Sequence, residues 1–310
     1  MAILKLKPAC KDYIWGGTRL KEEYNKQFDG ERLAETWELS CHPDGPSTIV
    51  NGPYAGKTLP EYLEAAGRRV LGSNCQIFGN FPIMIKFIDA RDNLSIQVHP
   101  NNTDALEMEH EYGKTEMWYV LEAQPGAFLY YGFTKKITKE EFRSRIENGT
   151  LLEVLNAVPV HKGDLFYIPA GTIHAIGKGL LIAEIQQNSN STYRVFDFNR
   201  VGADGKPRQL HVDKAVKVTR LEPARTDYNF GGHLARSAYF TVDKVDAPYS
   251  GNCDDESFTS ILVVDGEGSI TCGEETMPIR KGDSLFLPAD SGVFSLDGSV
   301  QAVMTRVGTV

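Results

Sequence analysis

Lys162-Gly-Asp-Leu-Phe-Tyr-Ile-Pro-Ala-Gly-Thr-Ile-His174 recurs 119 residues later as Lys281-Gly-Asp-Ser-Leu-Phe-Leu-Pro-Ala-Asp-Ser-Gly-Val293. Both copies open on Lys-Gly-Asp, keep Pro-Ala and share their apolar spacing. Self-similarity of this kind marks one supersecondary unit used twice. The flanking sequence is strand-rich. Residues 81–90, 116–123, 127–133, 180–186, 192–198, 237–245, 257–265 and 301–307 are short, rich in aromatic and β-branched residues, and bounded by turn residues. Strands this short and this numerous predict a mainly β protein built as two barrels. The second copy carries Val293 where the first carries His174, so the second barrel is expected to lack the chemistry of the first.

Helices are few. Thr58-Leu-Pro-Glu61 is a capping box ahead of a helix reaching about Gly72, and Thr138-Lys-Glu-Glu141 is another, with a stop at Asn148-Gly149. Thr103 opens a short helix ending near Gly113, and residues 150–156 add a turn or two. These helices fall before and inside the first strand set, and the last 75 residues carry none. Turn residues crowd 200–236, which divides the chain into an N-terminal catalytic domain, 1–225, and a C-terminal domain, 226–310.

Composition narrows the function. The 310 residues are 41% apolar and 24% charged, an ordinary globular balance that excludes disorder and fibres. Net charge is −8, with no long run of Lys and Arg, which counts against nucleic acid and acidic membranes as partners. No window of 18 consecutive apolar residues is present, so no membrane span is expected. The first residues, MAILKLKPACKDY, do not read as a signal peptide, which makes the cytoplasm the expected compartment. Five widely spaced cysteines without a CxxC argue against a disulfide framework and a zinc finger.

The chemistry gathers in the first copy. In Leu94-Ser-Ile-Gln-Val-His-Pro100, residues i and i+2 of a strand share a face, so Gln97 and His99 converge. Glu116 starts a strand, and His174 follows the turn Pro169-Ala-Gly171. Two imidazoles, a carboxylate and an amide oxygen suit a divalent metal; the set favours zinc, with iron and manganese open on ligand chemistry alone. Singly, each histidine would more often be a hydrogen-bonded core or surface residue, and the other five histidines stay in that class. Lys86, on the apolar strand Ile83-Met-Ile-Lys-Phe-Ile88, needs either solvent or a partner, because an unpaired buried ammonium is costly.

Gly163-x5-Pro169-x-Gly171-x2-His174 resembles the second metal-binding motif of the cupin superfamily, and Gln97-Val-His99 followed by Glu116 resembles the first, with Gln in place of its first His. Along nearly its whole length the chain resembles the type I mannose-6-phosphate isomerases of the short bacterial and archaeal form. Ile14-Trp-Gly-Gly17, Ala34-Glu-Thr-Trp-Glu-Leu-Ser40, Leu94-Ser-Ile-Gln-Val-His-Pro-Asn101, Gly113-Lys-Thr-Glu-Met-Trp118, Tyr167-Ile-Pro-Ala-Gly-Thr-Ile-His174 and Thr192-Tyr-Arg-Val-Phe-Asp197 carry the likeness in order.

The resemblance implies two cupin-like jelly-roll barrels and one Zn2+ per chain held by Gln97, His99, Glu116 and His174. It makes Arg194 the active-site arginine and places Lys86, Ser95, Lys114 and Glu184 around a small sugar phosphate. Where larger members have an acid four residues before the arginine, this chain has Asn190. The implied reaction interconverts mannose 6-phosphate and fructose 6-phosphate through a cis-enediol, with Lys114, Glu184 or a zinc-bound water as proton carrier. Arg194 is too basic for that task and suits charge stabilisation instead. A cytoplasmic monomer or small homo-oligomer is expected. An iron-dependent dioxygenase and a non-catalytic sugar-binding module are the rival classes. The Lys and Arg set counts against the first, and the intact ligand set counts against the second.

Overall fold

The structure, a computed structural model, describes residues 3–201 and 205–308. It is mainly β, with two compact units that interleave in sequence: Met1–Asp12, Thr18–Phe87 and Asn229–Val310 form one, and Tyr13–Gly17 with Ile88–Tyr228 form the other. The chain crosses between units at 12/13, 17/18, 87/88 and 228/229.

In the first unit a seven-stranded antiparallel sheet runs Ala235–Arg236, Thr241–Asp246, Gln301–Arg306, Thr259–Asp265, Ser284–Leu287, Leu4–Lys7, Thr48–Ile49. A four-stranded sheet runs Tyr249–Cys253, Gly292–Gly298, Glu267–Cys272, Glu275–Arg280. One apolar core joins them, with Ile3, Val245, Ile261, Ile270, Leu285, Phe294 and Leu296 all buried. That is the arrangement of a sandwich, in which alternate residues of facing sheets interdigitate.

The second unit contains a five-stranded antiparallel sheet: Tyr193–Phe196, Ile96–Val98, His174–Ala175, Phe128–Phe133, Leu155–Pro159. Strand Glu116–Ala123 pairs with Leu165–Ile168 on one side and Leu180–Gln187 on the other. Among the described residues no sheet closes into a barrel, so the strands are open layers where closed barrels were expected.

The sequence repeat is a structural repeat. Leu165–Ile168 and Ser284–Leu287 are strands, and each follows a glycine of left-handed φ, 90° at Gly163 and 92° at Gly282. After each strand the turn again needs positive φ, 87° at Gly171 and 65° at Asp290. Aspartate tolerates that conformation better than most residues, which is how the second copy keeps the turn without glycine.

Thr58 caps helix Leu59–Ala66 through a complete capping box, but the α-helix stops at Gly67, where φ turns to 80°, and a separate 3-10 turn, Arg68–Leu71, follows. Thr138 caps Lys139–Glu147 as expected. Helix Asn102–Glu109 begins one residue before Thr103, because the Asn101 side chain accepts the Asp104 amide and supplies the cap. Helix Val212–Val218 lies in the stretch read as turn-rich; Ala215 and Val216 are buried, Val212 and Val218 pack partly buried beside them, and seven residues are too short for that stripe to announce itself. A single-turn helix, Arg19–Glu22, was also absent from the sequence reading. Among the described residues no helix is long and apolar enough to cross a membrane.

Candidate active site

Three neighbouring strands of the second unit alternate between an apolar core and a polar face. Ile173 and Ala175, Ile96 and Val98, Tyr193 and Val195 all enter one buried cluster with Phe133 and Phe142. The residues between them must face the other way. They stand opposite one another in register: His174 against Gln97, and Gln97 against Arg194. Apolar alternation on three short strands thus sets an imidazole, an amide and a guanidinium in a row.

Strand Glu116–Ala123 supplies the next set. Glu116 lies opposite Gln186, and Trp118 opposite Glu184. Lys114 and Thr115 precede the strand, and the Thr115 amide donates to Gln187 Oε1 at 2.9 Å, which ties their segment to the end of the neighbouring strand.

His99, Glu116 and His174 meet in the interior, all their ligand atoms within 4.8 Å of one another. His174 Nε2 is 3.3 Å from Glu116 Oε1 and His99 Nε2 is 3.6 Å from Glu116 Oε2. The two ring centroids are 4.8 Å apart. Each imidazole donates its Nδ1–H to a backbone carbonyl at 2.9 Å, His99 to Ser191 and His174 to Thr172. A carbonyl only accepts, so the proton sits on Nδ1 and each Nε2 presents a lone pair toward Glu116. Burial pushes the His174 pKa down to about 4, and Lys114 acts in the same direction, so the ring is neutral at physiological pH.

Lys114 Nζ lies 3.0 Å from Glu116 Oε2 and 3.7 Å from Glu184 Oε1. Trp118 Nε1 donates to Glu184 Oε2 at 2.8 Å, and its ring stands edge-on to His174 at 5.3 Å. The donor set fits a divalent cation: two imidazole lone pairs and a carboxylate converge in a buried place. Gln97 reaches the same place, its amide nitrogen 3.4 Å from His174 Nε2.

Arg194 is half-buried beside this row. Its Nε donates to Ser95 Oγ at 3.3 Å and its Nη1 to the Gln209 carbonyl at 3.1 Å. Burial and the nearby Arg208 both lower its pKa, while Asp197 raises it. Asp197 is clamped by Arg200 and by Arg208, the latter through two bonds of 2.7 and 2.6 Å. Lys86 belongs to the first unit, where its ammonium lies 3.4 Å from Glu35 Oε2 and 5.0 Å from the Trp37 ring centroid. Ser95, Gln97, His99, Lys114, Glu116, His174, Glu184 and Arg194 all lie in the second unit.

Trp118, an aromatic residue within a strand of apolar character, holds Glu184. Its signal was available: Glu116 and Trp118 are two apart on a strand and share a face. The Ser191 and Thr172 carbonyls that orient the histidines, and the Arg200–Asp197–Arg208 clamp, had no signal, since each depends on chain segments meeting in space.

Comparison with known proteins bears on the same residues. The family model described as "Phosphomannose isomerase type I, catalytic domain" matches residues 3–123, and "Mannose-6-phosphate isomerase, cupin domain" matches residues 232–307. The chain is 40% identical over 302 residues to the mannose-6-phosphate isomerase of Streptococcus mutans, covering 94% of each protein. It is 39% identical over 317 residues to mannose-6-phosphate isomerase ManA of Bacillus subtilis, covering 98% of each. The crystal structure of the Bacillus subtilis mannose 6-phosphate isomerase superposes with a TM-score of 0.90 at 36% identity, covering 98% of this chain and 99% of that one. Full-length likeness at this identity means that the chain belongs to the type I phosphomannose isomerase family, whose members are aldose–ketose isomerases.

Proposed function

We propose that this chain interconverts mannose 6-phosphate and fructose 6-phosphate through a cis-enediol, with one Zn2+ held by His99, Glu116 and His174 and approached by Gln97. The observation that carries the reading is the buried His99–Glu116–His174 set, with both Nδ1 protons already committed to carbonyls. When bound, the ion supplies Lewis acidity to the sugar oxygens. Gln97 can present oxygen to it by a half-turn of its amide. The two units are read as cupin-type jelly rolls, only one of them equipped with ligands.

The remaining groups divide the work by charge and position. Aldose–ketose isomerisation needs one group to take a proton from C2 and return it to C1. Glu184 is the proposed carrier, a carboxylate fixed on one oxygen by Trp118 and reaching Lys114 with the other. Lys114 opposes the negative charge that develops on the substrate oxygens during enediol formation. Arg194 and Ser95 form a hydrogen-bonded pair on the rim that holds the phosphate or the enediolate.

The test combines metal analysis with a coupled mannose-6-phosphate isomerase assay on one preparation. Stoichiometric zinc with turnover supports the reading, and full zinc occupancy without turnover would sink it. Glu184→Gln is expected to keep the metal and to lose both turnover and solvent-proton incorporation at C2.

A further inference from the structure

Glu111 lies between helix Asn102–Glu109 and strand Glu116–Ala123, and nothing in the reaction calls on it. Its carboxylate is nevertheless engaged in an organised way. Oε1 accepts the Asn190 amide at 3.1 Å. Oε2 accepts the Ser191 hydroxyl at 2.5 Å and the Ser189 hydroxyl at 3.3 Å. Ser189 Oγ in turn accepts the Ser191 amide at 3.2 Å. One carboxylate therefore binds three consecutive residues of the turn between strands Leu180–Gln187 and Tyr193–Phe196.

That turn has a task. The Ser191 carbonyl accepts a hydrogen bond from His99 Nδ1–H. It fixes both the tautomer and the angle of the imidazole, and through them the direction of the Nε2 lone pair. The turn is outside the strand ladders; beyond its own Ser189 amide bond to the Gln187 carbonyl at 2.8 Å, it is held by side chains: Glu111 from one side and Gln186, whose Nε2 donates to the Ser189 carbonyl at 2.7 Å, from the other. Hydrogen bonds to an ionised acceptor are about twice as strong as neutral ones. Glu111 supplies the charged ones.

We propose that Glu111 is a positioning residue for the metal site, acting through Ser191 on His99. The proposal rests on the metal reading above. Outer groups that orient a ligating histidine typically contribute about 10–100-fold to metal affinity. Glu111 acts one bond further out, and an effect of about tenfold is expected.

The test measures zinc dissociation constants by competition with a chromophoric chelator, together with the melting temperature of the metal-free protein. Glu111→Ala is expected to weaken zinc binding about tenfold, and Glu111→Gln, whose amide oxygen can still accept, to recover part of that loss. In the Glu111→Ala/Ser191→Ala pair the losses should be less than additive, because both substitutions break one chain of bonds. A brace that serves only the fold would lower the melting temperature and leave the dissociation constant alone. A Glu111→Ala constant within about twofold of the parent, or fully additive losses, would overturn the relay. Should Glu111→Ala fail to fold, Ser191→Ala alone decides, an unchanged constant again overturning it. Failure of the parent chain to bind zinc would remove the metal site itself and the relay with it.

Discussion

His174 and Val293 close the two copies of the repeat, yet His174 is fully buried and Val293 is 65% exposed. One position is aimed at two other ligands and the other at solvent. His174→Ala is therefore expected to release the metal, and zinc-rich buffer should not restore a tight ion elsewhere. Metal analysis after desalting checks this, and a retained stoichiometric ion would contradict the single site. Arg194→Ala should behave in the opposite sense. Arg194 donates to Ser95 and the Gln209 carbonyl and to no member of the His99–Glu116–His174 group, so zinc content should hold while turnover falls about 10²–10³-fold. Near-normal turnover would remove Arg194 from the site. Period-two alternation brought Gln97 and His99 into view, and the Pro169-Ala-Gly171 turn brought His174. The same alternation ties Trp118 to Glu116, but aromatic bulk on a strand hides a donor role behind packing. Glu111 is illegible for a different reason: its partners are 78 to 80 residues away, and no local pattern encodes that separation.

Gly163 and Gly282 occupy the same turn of the repeat with nearly the same φ, but different surroundings. A Cβ on Gly163 would meet nothing within 4 Å, whereas on Gly282 it would stand 2.1 Å from the Tyr24 carbonyl oxygen. Gly163→Ala should cost the backbone strain alone, about 1–2 kcal/mol. Gly282→Ala adds a clash with main chain and should cost more, about 4 kcal/mol. Urea unfolding midpoints of the two variants test this, and equal losses would mean that the surroundings are softer than drawn. At this scale the strands and capping boxes were open to reading, since each is a local pattern of residue type. Strand Glu116–Ala123 was bounded correctly at both ends. The helix Val212–Val218 does not stand out in the sequence, because seven residues make fewer than two full turns, too few for its Val212, Ala215 and Val216 spacing to rise above the turn residues around it.

The two units divide the proposed metal ligands unevenly, because His99, Glu116 and His174 all lie within Ile88–Tyr228. A ligand bound by the native state at 100 times its dissociation constant stabilises it by about 2.7 kcal/mol. Chelation should therefore lower hydrogen-exchange protection in residues 88–228 while 18–87 and 229–308 keep theirs. Equal loss in both units would show that they unfold as one. The mainly β class and the doubled motif followed from the sequence. The interleaving did not, since strand Leu4–Lys7 pairs with Ser284–Leu287, and pairing across some 280 residues leaves no trace in either segment. That pairing also sets an order of assembly. On the ribosome the ligand-bearing unit has all its residues once Tyr228 has emerged, and it can close while synthesis continues. The first unit cannot. Its opening segments, Met1–Asp12 and Thr18–Phe87, include a strand whose partner is Ser284–Leu287, so they must wait, with apolar surface open, until the third segment, from Asn229 onward, has been made. A message cut short just after residue 228 would yield His99, Glu116 and His174 and still leave strand Leu4–Lys7 without the Ser284–Leu287 it pairs with, a natural client for chaperones and proteases.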